Sequence, residues 1–261
     1  MRVVEWPALA AAEAPLRPSA LSIGVFDGIH RGHQELVRRI TAKNAELVST
    51  IITFRKNPKE FLGKKDFTGD ILSLGQKLAI FERLSVAQVV LIDFSENFSR
   101  ISGREFLGLV RNRLCPGFVA VGSNFRCGYR GAADAARLEA LYRRAGIPVD
   151  VVRPVLEGGC PVSSSRIRSA IAAGDFSAAA RLLGRNVEFD LSPVAGERRE
   201  GGSFYRTAPL RRIMPGPGAY PALLRCKGKA GAAEAVVVVS KDGILVPRTG
   251  EGETPCRIEF I

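Results

Sequence analysis

The only two histidines of the chain, His30 and His33, are its clearest candidates for chemistry. Both lie in the run Gly24–His33, which reads GVFDGIHRGH and passes from a predicted strand into a predicted helix. The unpaired amide groups of that helix start carry the positive end of the helix dipole. Glycines on either side let a bulky anion approach the backbone. The pattern predicts a phosphate-binding loop into which two imidazoles point.

Two other interpretations of the histidine pair are weaker. A protein zinc site needs a third or fourth ligand, and no cysteine or carboxylate lies at a matching spacing nearby. A structural role is the default for one isolated histidine, but here both histidines share one glycine-rich loop. We therefore favour phosphate binding.

A second candidate site is the run Val162–Arg168, which reads VSSSRIR and lies directly before a predicted helix. Serine at a helix start is commonly an N-cap, and capping alone explains Ser163 or Ser164. Capping does not explain Arg166 and Arg168. Cations in the first turn of a helix are repelled by its dipole unless an anion lies between the cations and the helix N-terminus. The two arginines predict a bound phosphate, and we expect both loops to hold one polyphosphate.

Alternating strand and helix patterns position these loops. Up to about residue 185, the predicted strands are Ala20–Phe26, Leu47–Phe54, Ala87–Phe94, Gly117–Phe125 and Ile147–Val155. The predicted helices are Gln34–Ala45, Leu74–Leu84, Gly103–Leu114, Ala133–Ala145, Ser164–Ala173 and Phe176–Leu183. This order predicts an α/β fold with a doubly wound, mostly parallel sheet whose ligands bind beyond the carboxyl ends of the strands.

Residues 186–261 have a different pattern, in which glycine and proline separate short apolar runs. The predicted strands are Tyr220–Leu224, Ala235–Val239, Ile244–Val246 and Arg257–Ile261. We predict a small antiparallel, β-barrel-like domain here. The chain is thus expected to have two domains, 1–185 and 186–261.

The composition predicts a globular protein of the cytoplasm. The 261 residues are 46% hydrophobic and 25% charged, with no apolar run of the ~18 residues that a membrane span needs. No export signal is recognisable, and the five cysteines form no CxxC pair, which favours reduced thiols. The net charge of +12 falls mostly in residues 1–185 and attracts anions, from nucleotides to nucleic acid.

The two motifs together resemble the signature of the HxGH nucleotidyltransferases, a Rossmann-like superfamily. Within it, the chain most closely resembles the adenylyltransferase module of the bacterial bifunctional riboflavin kinase/FAD synthetases. The resemblance covers most of residues 15–185. It is carried by Gly24–Gln34, Thr53-Phe54 with Pro58, Phe94, Phe106, Val121–Arg126, Ser163–Arg168, Gly174-Asp175 and Leu182–Arg185.

The resemblance implies the reaction of FMN with MgATP to give FAD and pyrophosphate. The FMN phosphate, with a second pKa of about 6, is largely a dianion near neutral pH and needs no general base to attack the α-phosphorus. The catalytic donors implied are His30, His33, Ser164, Ser165 and Arg168. The nucleotide-binding residues implied are Gly24, Phe26, Asp27, Gly28, Asn124 and Arg166. Mg²⁺ is expected with ATP, and the sequence identifies no residues that bind it.

The flavin pocket follows the family less closely. Its candidate residues are Thr53, Phe54, Asn57, Pro58, Phe125 and Arg126, with Phe54 and Phe125 as possible stacking rings. Family members tend to carry proline and histidine where this chain has Lys56 and Asn57. Cys127 replaces an aromatic residue, and Ala133 replaces a glycine. A different phosphorylated acceptor therefore stays open.

In the family a riboflavin kinase barrel follows, with a Pro-Thr-Ala-Asn motif and a catalytic glutamate in a Thr-x-Glu strand. Here Arg206–Pro209 (RTAP) takes the place of the first motif, and Thr254–Cys256 (TPC) takes the place of the second. The asparagine and the glutamate are both replaced. We expect a degenerate barrel without riboflavin kinase activity.

Three functions stay open from the sequence. The leading one is FMN adenylyltransferase, and the second keeps this chemistry with another phosphorylated acceptor. The third is a non-enzymatic nucleotide or RNA binder, against which the intact His30, His33 and Arg168 argue, as does the lack of a recognisable RNA-binding module. The expected partners are the small molecules ATP and FMN rather than membranes or nucleic acid, and the oligomeric state is not indicated.

Overall fold

The computed structural model describes residues 1–11, 16–63, 67–226, 231–248 and 255–261. The chain divides into two compact units. The first comprises Met1–Lys64 and Lys77–Pro161, and the second comprises Lys65–Gln76 and Val162–Ile261. The second unit thus includes a segment from the first half of the sequence. The domain boundary at residue 185 follows the change in secondary structure and stays a prediction.

The first unit is built on a parallel sheet. The strands of the first unit are β1 (Arg2–Glu5), β2 (Ser19–Ile23), β3 (Val48–Phe54), β4 (Gln88–Ile92), β5 (Pro116–Gly122), β6 (Arg126–Cys127), β7 (Ala133–Asp134), β8 (Val149–Val152), β9 (Leu156–Glu157) and β10 (Cys160–Pro161). Six of them form one sheet in the order β1-β4-β3-β2-β5-β8, with every neighbouring pair parallel. The predicted parallel sheet is confirmed.

Helices connect these strands. They are α1 (Trp6–Ala11), α2 (Arg31–Thr41), α3 (Pro58–Phe61), α4 (Leu74–Arg83), α5 (Glu96–Arg100), α6 (Gly103–Leu114) and α7 (Ala135–Arg143). Every residue of β2 and β4 is buried, which requires helices on both faces of the sheet. Helix α2 shows how the sequence supplies one of these layers, because Leu36, Val37 and Ile40 recur at helical spacing and are buried.

Two elements at the N-terminus are not indicated by the sequence pattern. Strand β1 is a four-residue edge strand, three of whose residues are exposed, so it shows little apolar alternation. Helix α1 is only six residues long, and it packs the ring of Trp6 against Phe98 and Phe106. Both elements depend on tertiary contacts that a local pattern does not reveal.

The second unit combines two helices with an antiparallel sheet. Its elements are α8 (Ser164–Ala172), α9 (Phe176–Leu183), β11 (Val187–Asp190), β12 (Glu197–Arg199), β13 (Gly202–Arg206), β14 (Gly218–Cys226), β15 (Ala233–Val239), β16 (Gly243–Pro247) and β17 (Pro255–Phe260). The seven strands pair antiparallel in the order β11-β17-β14-β15-β16-β13-β12. The prediction of an antiparallel β region is confirmed.

The core of the second unit includes stacked aromatic rings. Phe176 of α9 lies parallel to Phe260 of β17, with ring centroids 4.1 Å apart, and Phe189 of β11 meets the same ring edge-on. Strands β11 to β13 are not predicted from the sequence, because they are short and, in β12, fully exposed. In the part of the chain that the structure describes, no helix is long and apolar enough to span a bilayer.

Candidate active site

Three of the predicted site segments leave one edge of the parallel sheet. Strands β3, β2 and β5 are neighbours, and the chain continues from their carboxyl ends into residues 55–58, 24–33 and 123–126 respectively. The amide of Gly24 donates to the carbonyl of Ile52 at 3.1 Å, and the hydroxyl of Thr53 donates to the carbonyl of Val25 at 2.9 Å. The loop after β2 is therefore attached to β3 at its start.

The loop after β2 has a strained backbone. Phe26 and Ile29 adopt φ angles of 53° and 38°, in the left-handed region that non-glycine residues rarely occupy, and Gly28 between them has a φ of 84°. Such conformations cost on the order of 1–3 kcal/mol each and persist only where the surroundings enforce them. Phe26 and Ile29 are fully buried, and the side chain of Gln34 donates to the carbonyl of Ile29 at 2.9 Å. The packing around the loop thus fixes its shape.

The two predicted histidines lie at the start of α2 with their rings stacked. The centroids are 3.6 Å apart and the ring planes differ by 15°. His30 is the N-cap of α2, and its Nδ1 accepts the amide of His33 at 3.3 Å. A neutral imidazole that accepts at Nδ1 carries its proton on Nε2. A Cβ atom at Gly32 would lie 3.2 Å from Cε1 of His30, so glycine gives the ring its room.

The imidazole of His33 is held in its neutral form. Burial lowers the pKa of His33 well below its ordinary value, and the nearby His30 and Lys77 side chains lower it further. Among the described residues its Nδ1 is buried without a hydrogen-bond partner. Asp27 is buried in the same loop. A neutral imidazole beside a helix N-terminus is able to donate one N–H to a phosphate oxygen.

Lys77 of α4 is a further residue of this region, and it belongs to none of the predicted motifs. It is buried, and its Nζ donates to the carbonyl of Val25 at 3.1 Å and to that of Phe54 at 3.4 Å. These carbonyls belong to the loop after β2 and to the end of β3. The available signal was its position, because Ile80 and Phe81, three and four residues on, place Lys77 on the apolar face of the helix.

The loop after β5 brings together Asn124, Phe125 and Arg126. With the first turn of α7 they line a shallow pocket of about 330 Å³. Asn124 is exposed, whereas Phe125 is part of the hydrophobic core. Arg126 is the register partner of Asp134 in the short antiparallel pair of β6 and β7, and its guanidinium donates to the carbonyl of Gly131 at 3.3 Å.

The segment after β3 carries the other predicted flavin contacts. Phe54 meets Phe94 and Phe98 edge-on, at centroid distances of 5.7 and 6.3 Å. Asn57 is the N-cap of α3, where its Oδ1 accepts the amide of Lys59 at 3.1 Å, and Pro58 takes the first helical position. Asn57 thus has a capping role in the structure, which matches a general preference for asparagine at N-caps.

The second predicted phosphate motif lies in the second unit, at the start of α8. Ser163 is the N-cap, and its hydroxyl accepts the amide of Arg166 at 3.3 Å. Arg168 is buried: its Nε donates to the carbonyl of Gly69 at 2.9 Å, and its guanidinium lies over the ring of Phe67 at 5.3 Å. Ser164, Ser165 and Arg166 occupy the first turn of the helix.

Comparison with known proteins identifies the family. The FAD synthetase family model matches residues 12–166. A bifunctional riboflavin kinase/FMN adenylyltransferase from Buchnera aphidicola is 28% identical over 170 residues, which are 64% of this chain and 54% of that protein. A protein of the same description from Haemophilus influenzae is 28% identical over 83% of this chain and 72% of its own length.

A solved structure shows the same fold. The crystal structure of a macrolide-efflux protein from Streptococcus pneumoniae aligns with a TM-score of 0.82 and 23% identity, over all of this chain and 89% of that one. In the alignment with the first Buchnera relative, the chain spans about half of that protein's length. The match to the family model covers more than half of the present chain. The chain therefore belongs to the FAD synthetase family of nucleotidyltransferases.

Proposed function

We propose that the protein transfers the adenylyl group of MgATP to the phosphate of FMN, giving FAD and pyrophosphate. An oxygen of the FMN phosphate attacks the α-phosphorus. The bond from that phosphorus to the bridging oxygen breaks, and its electron pair leaves with pyrophosphate. Mg²⁺ enters with ATP as part of the substrate. The attacking dianion needs no general base, so the protein has to align the reactants and stabilise the departing charge.

The observation that carries this proposal is the stacked His30–His33 pair at the start of α2. Its loop is shaped by strained, buried residues and lies at the carboxyl edge of the sheet, where α/β proteins bind ligands. In the proposal, His30, His33 and the first amides of α2 donate to the ATP phosphates. Ser164, Ser165 and Arg168 of α8 are proposed to supply further donors, and Arg166 and Asn124 are the remaining proposed contacts of the nucleotide. The loop residues Gly24, Phe26, Asp27 and Gly28 give the backbone its shape.

The flavin is proposed to lie beyond β3 and β5. The candidate residues are Thr53, Phe54, Asn57, Pro58, Phe125 and Arg126. The pocket beside Asn124 supports the β5 part of this proposal, whereas the burial of Phe125 in the core argues that its ring has a packing role as well. Asn57 caps α3, and this structural role explains the residue without a contact to flavin. The second candidate acceptor, another phosphorylated molecule, therefore stays open.

The test is a product assay. Purified protein is incubated with MgATP and FMN, with MgATP and riboflavin, and with MgATP alone, and the products are resolved by chromatography. FAD and pyrophosphate in equal amounts, formed from FMN only, are expected. Turnover with other phosphorylated acceptors and none with FMN would favour the second candidate, and ATP binding without any product would favour a non-enzymatic binder.

A further inference from the structure

A buried arginine of the second unit, Arg212, ties together distant parts of the chain. Its Nε donates to the carbonyl of Asp70 at 3.3 Å, and one terminal nitrogen donates to Oε1 of Gln76 at 2.5 Å. The other terminal nitrogen donates to the carbonyls of Ile71 and Glu188, the latter at 3.0 Å. The guanidinium also lies over the ring of Phe189, at 5.0 Å. Three of the four acceptors lie in the segment 67–76, so the single side chain of Arg212 attaches this segment to the rest of the second unit at three points.

The backbone around Arg212 reinforces this attachment. The amide of Asp70 donates to the carbonyl of Arg211 at 3.1 Å, and the amide of Ile213 donates to the carbonyl of Asp70 at 3.0 Å. Gly69 has a φ of 123°, and a Cβ atom there would lie 2.6 Å from the backbone of residues 212 and 213. Only glycine fits so close an approach without a shift of the backbone. The position of Gly69 is therefore determined by the chain at Arg212.

Gly69 in turn holds Arg168. The carbonyl of Gly69 accepts from Nε of Arg168 at 2.9 Å, and the ring of Phe67 lies beneath the guanidinium. The bond from Nε uses one of the five N–H donors of an arginine and sets the direction of the planar group. A shift of Gly69 would therefore rotate the guanidinium of Arg168.

From this chain of contacts we infer that Arg212 is a positioning residue for nucleotide binding, acting through Gly69 on the guanidinium of Arg168. The inference rests on the proposed function, in which Arg168 binds the phosphates of ATP. The inference gives the second unit a role in adenylyl transfer, namely to position a nucleotide-binding side chain. This role does not require the second unit to catalyse a reaction itself. The contacts of Arg212 replace solvent with fixed carbonyl acceptors, so the segment 67–71 has one defined position.

The test is a double-mutant cycle of Arg212→Met and Arg168→Ala. MgATP affinity is measured by calorimetry, and kcat and KM are measured for both substrates. Arg212→Met is expected to weaken MgATP binding about tenfold, because a misplaced charged donor forfeits roughly 1.4 kcal/mol or more. The KM for FMN is expected to stay unchanged. In the Arg168→Ala background the same substitution is expected to have no further effect on MgATP binding.

Two further variants separate positioning from stability. Tyr205→Phe removes another buried hydrogen bond of the second unit, from the tyrosine hydroxyl to the carbonyl of Pro255, without touching segment 67–76. It is expected to lower the melting temperature and to keep MgATP affinity. Arg212→Lys keeps the charge but not the planar fork, and it replaces Arg212→Met if that variant fails to fold; a partial loss is expected from it.

The outcomes are distinguishable from those of the proposed function. Equal losses from the Arg212 substitution with and without Arg168 would overturn the inference, as would an equal loss of MgATP affinity in Tyr205→Phe. A wild-type protein that forms no FAD would contradict the proposed acceptor, and the MgATP-binding cycle would still decide the role of Arg212.

Discussion

At the scale of single residues, the surroundings of His33 favour its neutral form in two ways. Burial lowers the pKa of its imidazole, and the neighbouring His30 and Lys77 side chains lower that pKa further. Neutral imidazoles are donors that need not lose a proton when a phosphate arrives. This arrangement suits a site that stabilises charge on a leaving group rather than one that transfers protons.

We expect His30→Ala and His33→Ala each to lower kcat by about 100-fold or more, the usual effect of removing a donor to developing negative charge. Steady-state rates of FAD formation, with circular dichroism to verify folding, provide the measurement. Arg38→Ala is the matched control, since Arg38 lies on the exposed face of the same helix and pairs with Glu35. Wild-type turnover in the double histidine variant would exclude the assigned role.

The neutral state of His33 also predicts a pH dependence of stability. In the unfolded chain this imidazole titrates near its ordinary value of about 6.5, whereas in the folded protein its pKa is lower. At pH values between these two pKa values, the unfolded state therefore binds more protons than the folded state. The contribution of His33 to the free energy of unfolding is complete above pH 6.5 and is lost as the pH falls below it, at up to about 1.4 kcal/mol per pH unit.

Urea unfolding between pH 8 and pH 5 measures this dependence. His33→Asn removes the titrating group, so the variant is expected to lose less stability than the wild type below pH 6.5. Parallel curves for the two proteins would show that the pKa of His33 is the same in the folded and unfolded states, which would contradict this prediction.

Lys77 is predicted to support the histidine loop. Lys77→Met keeps an apolar stem of similar length and removes the ammonium group from the carbonyls of Val25 and Phe54. We expect kcat to fall about tenfold, since hydrogen bonds from charged groups contribute roughly 1.5–3 kcal/mol. Arg83→Met, in the exposed last turn of the same helix, is the control and should keep full activity. Equal activity of both variants would assign Lys77 to packing alone.

At the scale of elements, the sequence predicts what depends on local periodicity. The bounds of α6 and α9 agree with the predicted Gly103–Leu114 and Phe176–Leu183, because both helices have regular apolar spacing and a side-chain N-cap. The loops after β2 and before α8 were found from their residue types. The left-handed backbone of Phe26 and Ile29 was not, because it results from tertiary packing rather than from a local preference.

The same limit explains the residues that sequence reasoning missed. Lys77 and Arg212 belong to no motif. The hydrogen-bond partners of Lys77 lie 23 and 52 residues away in the chain, and those of Arg212 lie 24 to 142 residues away. Arg168 was expected to face a phosphate, and the structure shows in addition that it contacts Gly69. Contacts of such separation cannot be derived from spacing along the chain.

A test at the level of one helix separates capping from ligand binding in α8. Ser163→Ala removes the N-cap and is expected to cost about 1 kcal/mol of stability. Ser165→Ala, in the exposed first turn, is expected to leave stability unchanged and to lower kcat/KM for ATP. Thermal unfolding and steady-state kinetics give both quantities, and Ser102→Ala, which removes the corresponding cap of α6, is the control for stability alone. Unchanged kinetics in Ser165→Ala would limit the serine run to capping.

At the scale of the whole molecule, the second unit has a seven-stranded antiparallel sheet, and Pro209 and Cys256 stand where the resemblance predicts the kinase asparagine and glutamate. Cys256 of β17 contacts the carbonyl of Arg225 through its sulfur at 3.3 Å. Glu259 of the same strand accepts from Asn186 at 3.0 Å and pairs with Arg225. Pro209 occupies a 3-10 turn formed by Ala208–Leu210. Thr254, the first residue of the predicted TPC counterpart, lies outside the described residues.

We therefore expect the protein to convert FMN to FAD and to form no FMN from riboflavin. Phosphorylation of the ribityl hydroxyl benefits from a carboxylate that accepts its proton, and it needs side chains that hold Mg²⁺ against the phosphates. Cys256 offers no carboxylate at the expected position, and proline has no side-chain oxygen for a metal. Riboflavin and MgATP, with FMN and MgATP as the positive control on the same preparation, are followed by chromatography. FMN formation at a rate comparable to that of FAD would show that the barrel is a working kinase and that the assignment of residues 200–261 to the kinase motifs is wrong.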